Sequence, residues 1–196
     1  MKVVLINGSR KEEGCTYTSL MEISKVLKSE GIDTELFFLG VKVIDGHMSE
    51  LLEKVEEAMK EADGIIIGSP VYFASPTGEL ISFLDRLFMK ANACLKFKPA
   101  AAITSARRAG TTATLDVIHK YFLYFLYNQM PIVSSRYWSM AFGNSPEEIV
   151  QDKEGMQIME TVGKNMAWIV KSIAAGKAAG VKQPVAEPRI STNFIR

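Results

Sequence analysis

The sequence predicts an α/β fold in which a five-stranded parallel sheet lies between two layers of helices. Short β-branched or aliphatic runs alternate along the chain with longer segments whose apolar residues recur at helical spacing. The run Ile65-Ile66-Ile67 has no polar interruption, which is typical of a central strand covered by helices on both faces. Strands that alternate with helices pair in parallel through right-handed crossovers, so the sequence indicates a doubly wound three-layer sandwich.

The predicted elements alternate from the amino terminus to residue 175. The strands are expected at residues 3–6, 34–39, 64–68, 100–105 and 132–134. The helices are expected at residues 16–29, 49–62, 77–91, 111–128 and 153–175. The second helix has the clearest amphipathic pattern, because its apolar residues recur among Glu and Lys. We therefore expect one domain over residues 1–180 and an extended tail over residues 181–196.

The composition is that of an ordinary globular protein. Of the 196 residues 47% are hydrophobic and 23% charged, and 23 Lys and Arg stand against 22 Asp and Glu. A net charge of +1 gives no long-range attraction to nucleic acid or to anionic membranes, so neither is an expected partner. The apolar run after Lys2 ends at Asn7 and is too short for a signal peptide, so a cytoplasmic location is expected. Two isolated cysteines, Cys15 and Cys94, predict no metal site.

A glycine- and hydroxyl-bearing turn follows the first strand and opens directly into a helix. Amides at a helix start point toward an anion, and the hydroxyls of Ser9, Thr16 and Thr18 could add donors around a phosphate. No lysine follows Gly14 as a P-loop requires, and the dinucleotide motif G-x-G-x-x-G is absent. The turn therefore suits a phosphate monoester, although these residues could also form only a turn and a helix cap.

Two further loops end at the same edge of the predicted sheet. The loop after the third strand, residues 69–78, holds Tyr72 and Phe73 between two prolines, which favours stacking on a flat ring. The alternative is that these aromatic rings pack on the next helix. The loop after the fourth strand carries Arg107 and Arg108, which could stabilise negative charge on a bound ring or hold a phosphate of a nucleotide. They could equally be solvated arginines in a turn.

Aromatic residues near the end of the sheet favour contact with another subunit. Tyr137 and Trp138 are expected to follow the fifth strand, where they could close the same edge or form an oligomer contact. The fourth helix is apolar on almost every face over residues 121–127, which is more surface than one sheet can cover. The sequence therefore predicts burial of this helix against another subunit.

Three loops in this order resemble those of the flavodoxin-like NADPH-dependent FMN reductases, in the branch that includes iron–sulfur flavoproteins. The motifs are Gly8-Ser9 with Gly14 and Thr16-Tyr17-Thr18, then residues 68–72, then residues 105–112. The resemblance implies a flavodoxin-like fold with strand order 2-1-3-4-5, bound FMN, NADPH or NADH as electron donor, and a homodimer or homotetramer. It implies an FMN site formed by Ser9, Arg10, Thr16, Tyr17, Thr18, Pro70, Val71, Tyr72, Phe73, Ser105, Ala106, Arg107, Arg108 and Gly110.

The chain departs from that family pattern in two places. The iron–sulfur members carry cysteines after the second strand, whereas residues 40–47 contain none, so no cluster is expected there. Arg10 stands where the motif often has proline, and Cys15 where it often has asparagine.

The sequence thus suggests an oxidoreductase in which NAD(P)H reduces FMN and electrons pass to a flavin, quinone, nitro compound or protein. The flavin carries the chemistry, so no catalytic side chain is expected. A flavodoxin-type electron carrier is the first alternative, although such carriers are usually strongly acidic. A phosphoreceiver-like domain would need an aspartate at the end of the third strand, where the chain has Gly68-Ser69-Pro70. An interaction module that has lost its cofactor is the third alternative.

Overall fold

A computed structural model describes residues 1–124 and 129–185, together with Thr192 and Phe194. Five parallel strands form one sheet in the order β2-β1-β3-β4-β5. They are β1 (Lys2–Asn7), β2 (Asp33–Phe38), β3 (Gly64–Pro70), β4 (Ala100–Ala106) and β5 (Met140–Phe142). The predicted fold class and strand order are confirmed.

Helices cover both faces of this sheet. They are α1 (Cys15–Ser29), α2 (Met48–Glu61), α3 (Gly78–Lys90), the short α4 (Asn92–Leu95), α5 (Thr111–Tyr124), the short α6 (Pro146–Ile149) and α7 (Lys153–Ala178), with a 3-10 turn at Gly40–Val43. Residues 125–128, the last part of the predicted fourth helix, lie outside the described residues. None of the helices in the described part of the chain combines the length and apolar character that a membrane crossing needs.

Alternate residues of the central strands point into two separate cores. Val4, Ile6, Ile65 and Ile67 face the core formed with α2, α3 and α5. Val3, Leu5 and Ile66 face the core formed with α1 and α7. Both faces are buried, which is why these strands have no polar alternation.

The predicted fifth strand at 132–134 is wrong. Ile132 makes a single bridge to Ala100 at the start of β4, and β5 pairs with the other end of β4, where Thr104 lies opposite Met140. The two pairing points are four positions apart on β4 but eight positions apart on the segment from Ile132 to Met140. The extra residues of that segment therefore loop out of the sheet. Tyr137 and Trp138 therefore precede β5 and do not follow it.

Candidate functional site

The carboxyl edge of the sheet carries a cleft of about 420 Å³. Its lining comes from four loops, which follow β1, β3, β4 and β5. The lining residues are Ser9, Lys11, Glu13, Gly14, Cys15, Thr16, Pro70, Val71, Tyr72, Ser105, Ala106, Arg107, Gly143, Asn144, Ser145 and Pro146. Doubly wound sheets bind ligands at this edge, and the volume lies in the usual range for a small-molecule site.

Three of the other concavities are larger but lack the same convergence. One of about 530 Å³ lies beyond β2 and is lined by Phe38 and Lys42 among others. Another of about 580 Å³ lies at the amino edge of the sheet around Asp63 and Lys98, and a third of about 440 Å³ is lined by Ile169 among others. None of the three brings together the four loops that meet at the carboxyl edge, so the cleft is the better candidate despite its smaller size.

The start of α1 opens into the cleft with free backbone donors. Gly14 is the N-cap residue and has no side chain that could cap the helix. The first hydrogen-bonded amide of α1 is that of Thr18, which donates to the Gly14 carbonyl at 3.0 Å. Among the described residues, no acceptor contacts the amides of Cys15, Thr16 and Tyr17. Such orphan amides, together with the helix dipole, form a site for an anion.

Asn7 at the end of β1 holds the first loop in shape. Its side-chain Oδ1 accepts from the Ser9 amide at 3.0 Å, while its Nδ2 donates to the Glu12 carbonyl at 2.9 Å. The Ser9 hydroxyl in turn accepts from the Lys11 amide at 3.0 Å. Asn7 is fully buried, so these bonds fix the loop before any ligand arrives.

Two buried hydroxyls join the first loop to the loop after β4. Thr16 Oγ1 and Ser105 Oγ lie 2.8 Å apart, and both side chains are almost fully buried. One hydroxyl donates to the other, which leaves one proton of the pair available to a ligand. Thr18, by contrast, donates its hydroxyl to the Gly14 carbonyl at 3.3 Å, along its own helix.

The loops after β3 and β4 contact each other through a glycine. The Val71 amide donates to the Ser105 carbonyl at 3.0 Å. Gly110 has φ of +105°, and a Cβ there would come within 2.8 Å of the Val71 side chain and 3.1 Å of Ala74 Cα. Only glycine combines that conformation with this close approach.

The positive charge of the cleft comes from Lys11 and Arg107. Neither side chain forms an ion pair with any described residue, whereas Arg10 pairs with Glu79 of α3 at 3.4 Å. Arg10 is thus paired with α3 and is not part of the cleft lining. A cleft with two uncommitted cations and one carboxylate, Glu13, favours an anionic ligand.

Eight of the predicted site residues line the cleft and six do not. Those that line it are Ser9, Thr16, Pro70, Val71, Tyr72, Ser105, Ala106 and Arg107. Those outside the lining are Arg10, Tyr17, Thr18, Phe73, Arg108 and Gly110. Gly110 lies close to Val71 and Ala74 of the loop after β3, and Phe73 is fully exposed. Tyr137 and Trp138, which form an edge-on pair with ring centroids 4.7 Å apart, do not line it either.

Sequence reasoning missed the loop after β5. Gly143 lies against the cleft because its amide donates to the Ala106 carbonyl at 3.0 Å, and Ser145 caps α6 by accepting from the Glu148 amide. The sequence Gly143-Asn144-Ser145-Pro146 is a turn and helix-start signal that could have indicated it. The predicted fifth strand begins eight residues before β5, so the prediction put Tyr137 and Trp138 at this edge of the sheet instead.

Comparisons with known proteins agree with the fold. The family model for NADPH-dependent FMN reductase matches residues 1–145. An iron–sulfur flavoprotein of Methanocaldococcus jannaschii is 31% identical over an alignment 197 residues long. That alignment covers 88% of this chain and 99% of that protein.

Two solved structures have the same fold at low sequence identity. An NADH:FMN oxidoreductase in its apo form gives a TM-score of 0.65 at 18% identity and covers 86% of this chain and 89% of that one. A WrbA-like flavodoxin from Agrobacterium tumefaciens gives a TM-score of 0.64 at 17% identity and covers 87% and 97% of the two chains.

Proposed function

The chain belongs to the NADPH-dependent FMN reductase family, and from that premise we propose that its cleft holds FMN, which NADPH or NADH reduces for transfer to a second acceptor. Membership of the family makes the protein a flavoprotein oxidoreductase. The observation that carries the proposal is a set of three amides at the start of α1 that no described acceptor contacts; two of them belong to Cys15 and Thr16, which line the cleft.

The phosphate end of FMN fits the first loop. No acceptor in the described part of the chain contacts the amides of Cys15, Thr16 and Tyr17, and the Thr16–Ser105 hydroxyl pair has one proton to give. Lys11 adds a cation within the same lining. The site is compact and lies at one helix start, which matches a single phosphate monoester better than a pyrophosphate.

The ring of FMN would lie between the loops after β3 and β4. Pro70, Val71 and Tyr72 form one side of the cleft, and Ser105 to Arg107 form the other. When bound, FMN supplies the chemistry of accepting hydride from a nicotinamide and passing electrons onward. Arg107 would stabilise negative charge on the ring, or hold a phosphate of the incoming nucleotide. Arg108 lies beside it, exposed, and would serve the nucleotide only.

A spectroscopic experiment tests this function directly. The purified full chain should show an oxidised flavin spectrum, or acquire one on reconstitution, and the released flavin should have the mass of FMN. Addition of NADPH or NADH without oxygen should bleach that spectrum. A flavin that only dithionite reduces would leave the flavodoxin-type carrier as the better description, and a protein that takes up no FMN would exclude both functions.

Thiol alkylation gives a second prediction, because one cysteine lies in the cleft and the other, far from it, serves as an internal control. Cys15 lines the cleft, whereas Cys94 lies near Lys98 at the other edge, and both thiols are half-buried. Burial raises the pKa of both thiols, so alkylation should be slow at neutral pH and faster as the pH approaches 9 and above. FMN should slow the iodoacetamide labelling of Cys15 about tenfold or more and leave Cys94 unchanged, as read by peptide mass spectrometry. Equal protection of both thiols, or of neither, would contradict binding in the cleft.

Exposed apolar side chains on α3 and α5 favour a homodimer or homotetramer. Met89 and Leu123 are 61% and 70% exposed, on helices that meet through the Phe88 and Tyr121 rings at 5.3 Å. Apolar side chains exposed together on neighbouring helices are typical of subunit contacts. Sedimentation equilibrium of the full chain tests this part, and a monomer mass at micromolar concentration would contradict it.

A further inference from the structure

A two-residue turn at the mouth of the cleft holds Phe73 in an unusual conformation. Tyr72 and Ser75 exchange both backbone hydrogen bonds, at 2.9 and 3.0 Å. Between them Phe73 and Ala74 have φ of +54° and +56°. This is the pattern of a type I′ hairpin turn, whose two central positions favour asparagine and glycine.

The turn keeps a costly conformation without gaining buried surface for its phenyl ring. A non-glycine residue in the left-handed region is strained, because its Cβ lies too close to the backbone. Phe73 is 103% exposed, so contacts with the described residues do not offset that strain. Solvent exposure of a phenyl ring adds to it, because apolar surface is more stable out of water.

The surroundings fix the turn firmly enough to maintain this conformation. The Val71 amide donates to the Ser105 carbonyl on one side, and the Thr77 amide donates to Ser69 Oγ at 3.2 Å on the other. Gly110 packs directly against Ala74. Strain that the surrounding structure over-determines in this way is a feature of ligand-binding positions.

The phenyl ring of Phe73 lies next to the mouth of the cleft, where an electron acceptor could reach the flavin. Tyr72 lines the cleft and is itself 42% exposed, and Phe73 follows it directly on the solvent side. An acceptor that approaches the flavin from this side of the mouth would meet the Phe73 ring. Arg107, on the loop that pairs with this one, supplies an uncommitted positive charge to the same opening.

We propose that Phe73 is a specificity-determining residue that binds the second electron acceptor, and that this acceptor is a planar ring compound, neutral or anionic, such as a quinone. The inference rests on the proposed function. Stacking explains why an exposed ring sits on a firmly held turn, since an aromatic side chain on a fixed backbone loses little entropy when a flat ligand covers it. The step that Phe73 affects is acceptor binding, and FMN binding does not depend on it because its side chain lies outside the cleft lining.

Equilibrium binding of anthraquinone sulfonate to the oxidised, FMN-loaded full chain tests the proposal without turnover. Phe73→Ala should raise the dissociation constant about five- to tenfold, the range that aromatic stacking supports. Phe73→Tyr should bind as the original chain does, and Phe73→Leu, which is apolar but not planar, should resemble Phe73→Ala. All three variants should keep the same FMN affinity and the same urea midpoint.

Steady-state kinetics separates this inference from the proposed function. Phe73→Ala should raise KM for anthraquinone sulfonate and leave kcat, together with all parameters for ferricyanide, unchanged. Unaltered quinone binding in Phe73→Ala would overturn the role of Phe73 while the reductase function stood. Dissociation of an oligomer by Phe73→Ala would also overturn it, because the ring would then be a subunit contact. If neither nucleotide reduces the flavin, the proposed function fails, and the binding measurement still decides the role of Phe73.

Discussion

Gly14→Asp should weaken FMN binding more than a hundredfold and leave the fold intact or slightly more stable. Gly14 is the N-cap residue of α1 and has extended backbone, with φ of −98° and ψ of −168°, which aspartate adopts readily. Its carboxylate would accept from the orphan amides that the phosphate is proposed to use. A Cβ at this position meets Lys11 Cβ at 3.2 Å; because that atom moves only with its backbone, the exposed loop at Lys11 must shift by a few tenths of an ångström to make room.

The expected size follows from Coulomb's law. A carboxylate about 5 Å from one phosphate charge costs roughly 3 kcal/mol at an effective dielectric constant of about 20, which is more than a hundredfold in the dissociation constant. An aspartate cap stabilises a helix relative to glycine by a few tenths of a kcal/mol, with a further ~0.3–1 kcal/mol from the helix dipole. In Gly14→Asp the affinity for FMN should therefore fall while the free energy of unfolding of the apoprotein rises. A misfolded variant would lose both.

Two further variants at Gly14 distinguish the effect of the negative charge from the effect of an acceptor that occupies the amides. Gly14→Ala adds a Cβ but no acceptor and should change the FMN dissociation constant by less than about tenfold. Gly14→Asn occupies the amides without a charge and should fall between the other two. Fluorescence titration with FMN and urea unfolding of each apoprotein supply the data. FMN affinity in Gly14→Asp equal to that in Gly14→Ala would mean that the phosphate does not lie at the start of α1.

Gly143→Ala should lower the free energy of unfolding by about 2–3 kcal/mol, the usual cost of forcing an extra carbon into a packed site. A Cβ on Gly143 would lie 2.6 Å from the backbone nitrogen of Ile149 and 2.7 Å from its Cα. These are backbone atoms of α6 and cannot rotate away, so α6 or the loop after β5 must move. Because Gly143 also lines the cleft, the same displacement should weaken FMN binding.

Gly78→Ala is the matched control for this substitution. Gly78 is the first residue of α3, and a Cβ there meets no heavy atom within 4 Å. Its stability should stay within about 1 kcal/mol of the original chain, with any change in the stabilising direction, because alanine favours a helix more than glycine does. Urea unfolding with and without FMN measures both variants. Gly143→Ala as stable as Gly78→Ala would contradict the tight packing of α6 on this loop.

The two halves of the sheet differ in how well local sequence predicts them. The β1 and β3 strands are buried on both faces, so their apolar runs are long and unambiguous, as in Ile65-Ile66-Ile67. The edge strand β5 has only three residues and pairs on one side with Thr104, Ser105 and Ala106. Ile132-Val133 looks like a better strand because it is β-branched, but its pairing stops after one bridge. Edge pairing depends on where the chain can return to the sheet, which periodicity does not encode.

Sequence by itself determined the class of fold, the order of its elements and the loops that converge at one edge, because hydrophobic periodicity and turn residues act locally. It identified Ser9, Thr16, Tyr72, Ser105 and Arg107 as candidates, all of which line the cleft. Only the tertiary structure decided that Arg10 turns away to Glu79, that Phe73 points to solvent, and that Gly143 completes the cleft. Those outcomes depend on contacts between residues far apart in the chain, and side-chain direction in a loop is fixed by such contacts rather than by the loop's own residues.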